Sequence, residues 1–464
     1  MTLNPTAQLL QPEICELCSE GRWSELRAIL HEIPFVDVAE ILSDMEPDQA
    51  ALAFRFLQRD DAGQVFSYLS PEAQEAIIKK LGDEGSVRVV EAMSADDRAR
   101  LLDELPATIA TRIVASLSPE DRKVTQAILG YPPRTVGRLM TPGYIRVHPE
   151  WTCAYALDHI RRYGMDAETI NVLYVTDDAG KLVDDIRLRQ AILSPPEAPI
   201  ESLMNHSFYA LRADQPQEEA VQMMARYDRT ALPVVDSAGL LVGVVTVDDV
   251  VDVQQQAATE DIQKMGGVGA LEEPYMETGH LKMFHKRGFW LSALFVGQTV
   301  TILVLGGFQD QIARASVLSV FMPLVISCGG NSGSQAATLV TRALALGEVS
   351  AKDWWRIVRR EFVTASMLAA TLGAMGFLCV EVFTRGIGQV ETPHPLHLGV
   401  TIALAVAVVV LWGTTLGSLL PLVLKRLRVD PATASSPMVA TLMDASGTLI
   451  YFGLAVLLLT GTIL

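Results

Sequence analysis

Three patterns of apolar and polar positions follow one another along the chain. From about Leu9 to Pro132, apolar residues recur at helical spacing among polar ones. The pattern restarts at Glu46-Pro47-Asp48-Gln49, Ser70-Pro71-Glu72-Ala73, Ser94-Ala95-Asp96-Asp97 and Ser118-Pro119-Glu120-Asp121, one tetrad every 24 residues. A serine at the N-cap, a proline in the first turn and acids beside it complement the free amides and positive end of a new helix. This spacing predicts short helices stacked in a solenoid over residues 1–132. From Val136 to about Val253 the period shortens. The β-runs Asn171–Asp177 and Leu232–Asp236 are each followed by a turn, Asp178-Ala179-Gly180 and Ser237-Ala238-Gly239, and by another strand. With the helical pattern Gln217–Tyr227, these predict a tandem α/β repeat over 133–199 and 200–253. Five apolar runs come last, at about 289–308, 317–346, 362–383, 398–424 and 438–464, each of a length that crosses a bilayer as a helix. Between the repeat and these runs, residues 254–281 read as an amphipathic connecting helix loosened by Gly266, Gly267 and Gly269. The expected chain is therefore multidomain: an all-α helical solenoid, an α/β pair, a connecting helix and a polytopic membrane domain over 282–464.

Charge orients the membrane part. Lys282, Lys286 and Arg287 precede the first run, Lys352, Arg356, Arg359 and Arg360 lie between the second and third, and Lys425, Arg426 and Arg428 between the fourth and fifth, while the opposite loops hold Arg314 and Arg385. By the positive-inside rule the N-terminus is expected in the cytoplasm and the C-terminus outside a bacterial-type inner membrane. The formal net charge of -17 divides into -19 over the first 288 residues and +2 over the remainder. That excess argues against nucleic acid and for cations as partners. The cysteines, Cys15, Cys18, Cys153, Cys328 and Cys379, are scattered and suggest no zinc site. The first residues lack the basic and apolar regions of a signal peptide, so none is expected.

Candidate chemistry sits in the membrane runs. Asp444 is the one carboxylate of the last run, and an ionised side chain at bilayer depth costs about 2.5–3.5 kcal/mol by insertion scales. The stretch Gly329-Gly330-Asn331-Ser332-Gly333-Ser334-Gln335 interrupts the second run with polar and flexible residues. A loosened helix there is tolerated where it faces protein or water. A buried acid beside a broken helix suggests a cation path; the plainer alternatives are an interhelical hydrogen bond for Asp444 and close small-residue packing for the glycines. No Ser-His-Asp order, Walker loop or paired-histidine motif accompanies them, so the chain is not read as an enzyme.

The segment Ala231–Val250, ALPVVDSAGLLVGVVTVDDV, resembles the second half of a CBS domain, and Leu139-Met140-Thr141-Pro142 and Leu203-Met204-Asn205 resemble the openings of two such domains in a Bateman pair. Gly243-x-x-Thr246-x-x-Asp249 is similar to the segment with which some of these domains hold adenosine nucleotides, so ATP is a candidate ligand there, a purely structural pair being the alternative. The first repeat has Asp184 and Asp185 where that pattern wants glycine and an apolar residue. With PLVISCGGNSGSQAATLVTRALA and SPMVATLMDASGTLIYF in the membrane part, the whole chain resembles the MgtE family of magnesium transporters. The resemblance implies a homodimer in membrane lipid with the pore between protomers, Mg²⁺ moving down its gradient, and closure by cytoplasmic Mg²⁺. It places the ion at Asp444 and the Ala440 carbonyl, with Asn331, Thr338 and Ser436 lining the path; Ser436 stands where relatives can carry Asn.

Mg²⁺ holds its waters tightly at about 2.0–2.1 Å, and two Asp444 carboxylates on a dimer axis would concentrate it without caging it. Regulatory Mg²⁺ is expected to bridge Asp248, Asp249, Asp252, Glu260 and Asp261 to acids of the solenoid. Gln254, Gln255, Gln256 and Ala257 stand where relatives can carry glutamates, which predicts weaker inhibition. The competing readings are a Na⁺-coupled exchanger for Mg²⁺, Co²⁺ or Mn²⁺ and a CBS-regulated channel of other selectivity; an anion path would need basic residues at depth, and the apolar runs hold none at depth.

Overall fold

The computed structural model describes residues 5–271, 275–276, 278–387 and 392–462; part of the expected connecting segment (272–274 and 277) and the last two residues of the fifth run lie outside them. Two compact units divide between Gln254 and Gln255.

In the first unit, helices begin at each of the four tetrads: Pro47–Phe54, Pro71–Ala92, Ala95–Glu104 and Pro119–Leu129. Ser70 Oγ accepts from the Ala73 amide at 3.3 Å and Ser118 Oγ from the Asp121 amide at 3.1 Å, whereas Ser94 makes no such cap. Each 24-residue repeat is a pair of helices: Pro47–Phe54 is followed by Arg59–Ser67, and Ala95–Glu104 by Ala107–Ser116. In Pro71–Ala92 the pair is joined through Gly82, whose φ of 74° breaks the helix where a side chain would be strained. Leu26, Leu30, Ile41, Phe66 and Ile77 are buried between the pairs. Each such side chain contributes about 1.5–3 kcal/mol by leaving water.

Two three-stranded sheets follow, built alike. In the first, Tyr144–Val147 lies parallel to Thr169–Thr176, which pairs antiparallel with Leu182–Arg187; in the second, Leu211–Arg212, Ala231–Val235 and Leu241–Thr246 repeat the order. The two hairpin turns meet, the Leu241 amide donating to the Gly180 carbonyl at 3.1 Å and the Leu182 amide to the Gly239 carbonyl at 3.2 Å. Both turn glycines have positive φ, 81° and 83°. Tyr174, Leu182, Leu241 and Val244 form a core shared by the repeats.

The helix after the second sheet runs from Val247 to Met265. It therefore begins before the expected connecting helix and ends well short of Leu281. Gly267, at φ 72°, lets the Val268 amide turn back to the Gln263 carbonyl at 3.0 Å and terminates it.

The second unit contains five helices long and apolar enough to cross a membrane. They span His280–Gly307, Val317–Ala345, Trp354–Glu381, Pro395–Arg426 and Ser436–Leu459. The third begins earlier than the apolar run suggested, so Arg356, Arg359 and Arg360 lie on its first turns. A larger correction concerns the second: it passes through Gly329–Gln335 without a break. Its glycines pack instead against those of the fourth helix. A Cβ on Gly413 would stand 2.3 Å from the Gly329 carbonyl oxygen, and one on Gly417 would stand 2.0 Å from that of Gly333. Backbones this close exclude any side chain. Ser332 and Thr414 share a hydrogen bond of 2.6 Å along the same seam, and Tyr451 of the fifth helix donates to the Leu318 carbonyl of the second at 2.7 Å.

Candidate cation sites

The second and fifth membrane helices carry the candidate path. With Gly329, Ser332, Gly333, Ala336 and Ala337 buried against neighbouring helices, the helical period turns Ser327, Asn331, Ser334, Gln335 and Thr338 to the opposite side, in one polar stripe. Ser327, Asn331, Gln335 and Thr338 are exposed there. Asn331 donates to Ser327 Oγ at 3.4 Å, and Ser334 Oγ donates to the Ser436 carbonyl at 3.4 Å, so the stripe meets the start of the fifth helix. That helix is capped by Ser435, whose hydroxyl accepts from the Met438 amide at 3.4 Å, while Ser436 is exposed. Gly330 faces Ala440, a Cβ on it reaching the Ala440 Cα at 3.9 Å. One turn on, the half-buried Asp444 accepts a hydrogen bond of 2.8 Å from Gln298 of the first helix. Gln298 was not singled out from the sequence, although an amide in the middle of the apolar run Phe289–Phe308 was a signal. It occupies one carboxylate oxygen and orients the other.

The acids grouped by sequence as one regulatory cluster separate into two places. Asp248 and Asp249, on the first turn of the Val247–Met265 helix, gather with Asp96 and Asp97 of the solenoid and Glu168 of the first sheet domain. Thr246 lies within hydrogen-bond reach of both Asp248 and Asp249, the latter at 3.0 Å. Burial, then the charges of Asp96 and Asp248, push the Asp249 carboxyl up to about 8. Burial and Asp97 raise Asp96, and burial with Asp96, Asp248 and Asp97 raises Glu168. Asp96 Oδ1 is buried without a hydrogen-bond partner. A cluster of carboxyl groups, three of them raised by burial and mutual repulsion and one oxygen orphaned, is a donor set that fits a hard divalent cation. Asp252 stands apart: its exposed carboxylate faces Arg100 at 3.8 Å, and Arg100 also holds Asp97 at 2.6 Å.

Glu260 and Asp261 belong to the second unit. Lys264 lies 2.8 Å from Asp430 and 3.4 Å from Glu260. Burial raises Asp261, as does the charge of Asp430. Burial alone would lower Lys264, but the hydrogen bond to Asp430, the charge of Asp430 and that of Glu260 outweigh it and hold the ammonium above its usual value. Past the helix end, a Cβ on Gly267 would sit 3.3 Å from the Pro437 ring, so this segment touches the start of the fifth membrane helix.

Gly243, Thr246 and Asp249, the residues of the nucleotide reading, have partners within the protein. Gly243 packs on Met140 and the Thr141 carbonyl, a Cβ meeting them at 2.8 and 2.9 Å, and Thr246 and Asp249 serve the carboxylate cluster. A cavity of about 590 Å³ lies elsewhere in the pair, lined by Asn171, Arg187, Leu188, Arg189, Arg229 and Thr230. Arg229 is tied to Asp185 at 2.6 Å, and the cavity has the size of a small-ligand site with cationic walls.

Comparison with known proteins gives the same division. Residues 322–454 match a family described as divalent cation transporter, MgtE; residues 33–134 match the MgtE intracellular N domain, and 136–192 and 200–255 match the CBS domain. The chain is 39% identical over 349 residues to the magnesium transporter MgtE of Thermus thermophilus, covering 75% of each chain. It is 30% identical over 455 residues to that of Bacillus subtilis, covering 98% of each. Among solved structures, the cytosolic domain of the Mg²⁺ channel MgtE in complex with ATP aligns with a TM-score of 0.51 at 35% identity, over 53% of this chain and 100% of that one. The soluble part of a magnesium transporter aligns with a TM-score of 0.52 at 22% identity over 54% of this chain and 99% of that one, a likeness of fold.

Proposed function

Because the chain belongs to the MgtE family of divalent cation transporters, we propose that it is a Mg²⁺ channel whose pore forms between the polar stripes of two copies and whose central ligand is Asp444. The observation that carries this reading is the polar stripe Ser327–Asn331–Ser334–Gln335–Thr338, all exposed but the half-buried Ser334, beside a half-buried carboxylate. Lipid cannot satisfy such a face, and a second copy placing its own stripe opposite would turn it into a wet path. Hydrated Mg²⁺ would meet Asp444, the Ala440 carbonyl, Asn331, Thr338 and Ser436 through its waters. The N-terminus lies in the cytoplasm of a bacterial cell and the C-terminus outside its inner membrane, in keeping with the basic loops. Mg²⁺ uptake into proteoliposomes containing the purified chain tests the function: flux without Na⁺ supports the channel, and a strict Na⁺ requirement would make it an exchanger.

In the gating we propose, cytoplasmic Mg²⁺ binds the carboxylates Asp96, Asp97, Glu168, Asp248 and Asp249 and draws the solenoid onto the CBS pair. Asp96, Glu168 and Asp249 are raised above their ordinary carboxylate values, Asp249 to about 8. Their contact is therefore fully stable only below those ordinary values, and it weakens as pH climbs toward 8 and the carboxylates ionise. In metal-free buffer, resistance of the soluble unit to proteolysis is expected to fall over this range and to be restored by Mg²⁺. Asp248→Asn combined with Asp249→Asn is expected to flatten the pH dependence and to raise the inhibitory Mg²⁺ concentration about 5–150-fold, the usual span of such coupling. An unchanged inhibition curve would remove the cluster from gating. The glutamines at 254–256 leave this cluster, with Glu260 and Asp261, as the acids available for inhibition.

The related ATP complex, together with the arginine-lined cavity, supports an adenine nucleotide bound between the two CBS domains. Arg187 and Arg189 would face its phosphates.

A further inference from the structure

The first CBS domain holds a third group of ligating side chains, unrelated to either acid cluster. His148 and Glu150 lie on the turn that leaves the strand Tyr144–Val147, and Asp178 lies at the tip of the turn between the next two strands. One imidazole nitrogen and one oxygen from each carboxylate all lie within 4.8 Å of one another, and His148 Nδ1 is 4.0 Å from Asp178 Oδ1. Donors bonded to one ion at about 2.1 Å stand roughly 3 Å apart when adjacent and roughly 4 Å when opposite. Small rotations of two exposed carboxylates close the group onto a single ion.

The backbones that carry these donors are fixed. The His148 carbonyl accepts from the Trp151 amide at 3.1 Å and the Pro149 carbonyl from the Glu201 amide at 2.9 Å. The His148 ring lies 5.1 Å from that of Trp151, tilted 50° to it. In the other turn, Asp177 Oδ1 accepts from the Ala179 and Lys181 amides at 3.0 and 2.8 Å, leaving the neighbouring Asp178 side chain free to point outward. Ordering the site therefore costs only side-chain rotamers.

The chemistry of the donors selects the ion. Mg²⁺ demands oxygen and keeps its waters, so a nitrogen ligand gives it little. Imidazole with two carboxylates and open positions suits the first-row transition cations, with affinity rising from Mn²⁺ towards Cu²⁺. We propose that His148, Glu150 and Asp178 form a site for a divalent transition-metal ion, completed by water and selective against Mg²⁺. The Asp178 turn is the one that pairs with the second CBS domain through Gly180 and Leu241. An ion there ties the exit of the first strand to the seam between the two domains. The soluble unit then sorts its ions by ligand hardness, the all-oxygen cluster taking Mg²⁺ and the imidazole site taking transition metals.

The test is Co²⁺ titration of the full-length, chelator-stripped protein in detergent, followed by calorimetry and by the visible absorption of bound Co²⁺, in millimolar Mg²⁺. The proposal expects a site that survives Mg²⁺ and loses at least about tenfold in affinity in His148→Ala and in Asp178→Asn, since even an outer-shell partner is worth that much. His159→Ala, whose ring also flanks Trp151 at 5.1 Å, is expected to bind as the native chain does. Asp178→Asn alters only an exposed side chain, so its folding is not in question. Displacement of Co²⁺ by Mg²⁺, or unchanged binding in both His148→Ala and Asp178→Asn, would overturn the proposal.

Discussion

Asp444→Ala is expected to reduce Mg²⁺ uptake into proteoliposomes at least about a hundredfold while leaving the protein folded. A unit charge about 4 Å away at an effective dielectric near 20 is worth roughly 4 kcal/mol, and each 1.4 kcal/mol is a factor of ten. Contact through water and partial screening reduce that figure, but a dimer loses two such charges. The fold loses little, because among the described residues the carboxylate's side-chain hydrogen bond is the single one from Gln298. Gln298→Leu provides the graded companion. It keeps the charge and removes the amide that orients it, so uptake is expected to persist while discrimination between Mg²⁺ and Co²⁺ declines. Undiminished uptake in Asp444→Ala would move ion selection to Asn331 and its neighbours on the second helix.

The second large effect is structural. Gly417→Val places a Cβ where the Gly333 carbonyl oxygen already stands, 2.0 Å away, and the two backbones have no flexible side chain between them to yield. The second and fourth helices must separate, giving up the Ser332–Thr414 hydrogen bond and the packing along the seam. Overpacking of cores costs about 1–3 kcal/mol and more where backbone must move, so the variant is expected to melt far below the native chain or to fail to accumulate. Gly453→Ala is the matched control. Nothing lies within 4 Å of a Cβ there, and alanine is favoured over glycine in a helix by about 1 kcal/mol. Equal thermal stability of Gly417→Val and the native protein would mean that the helices do not approach so closely.

What could be read from the sequence was local, and what could not was assembled from distant parts. Helix starts at Pro47, Pro71, Ala95 and Pro119 followed from signals contained within four residues, a serine cap at two of them and proline or acids in the first turn at all four. The hairpin turns at Gly180 and Gly239 followed from the same kind of short-range signal. The glycine run at 329–333 was misread because a loosened helix and a tightly packed one ask for the same small residues; the deciding partner, Gly413–Gly417, lies some eighty positions away. The acids from Asp248 to Asp261 looked like one cluster for a related reason. They are near in sequence, but twelve residues of helix extend about 18 Å, too far for Asp249 and Asp261 to share an ion. The partners of Asp249 come instead from the solenoid and the first CBS domain, and Asp261 meets Asp430. Gln298 shows the opposite error, a visible polar residue in an apolar run passed over in favour of the charge it contacts.

Lys264 differs from a bound metal ion because it is covalently attached. The positive charge facing Asp430 and Glu260 has an effective concentration set by a side chain's reach rather than by the surrounding fluid. A bound ion can be dialysed away, and this one cannot. Chelators that empty a metal site leave the contact intact, whereas high ionic strength loosens it by screening. Protein prepared in chelator is thus not yet freed of the tie that holds the helix end to the Asp430 loop.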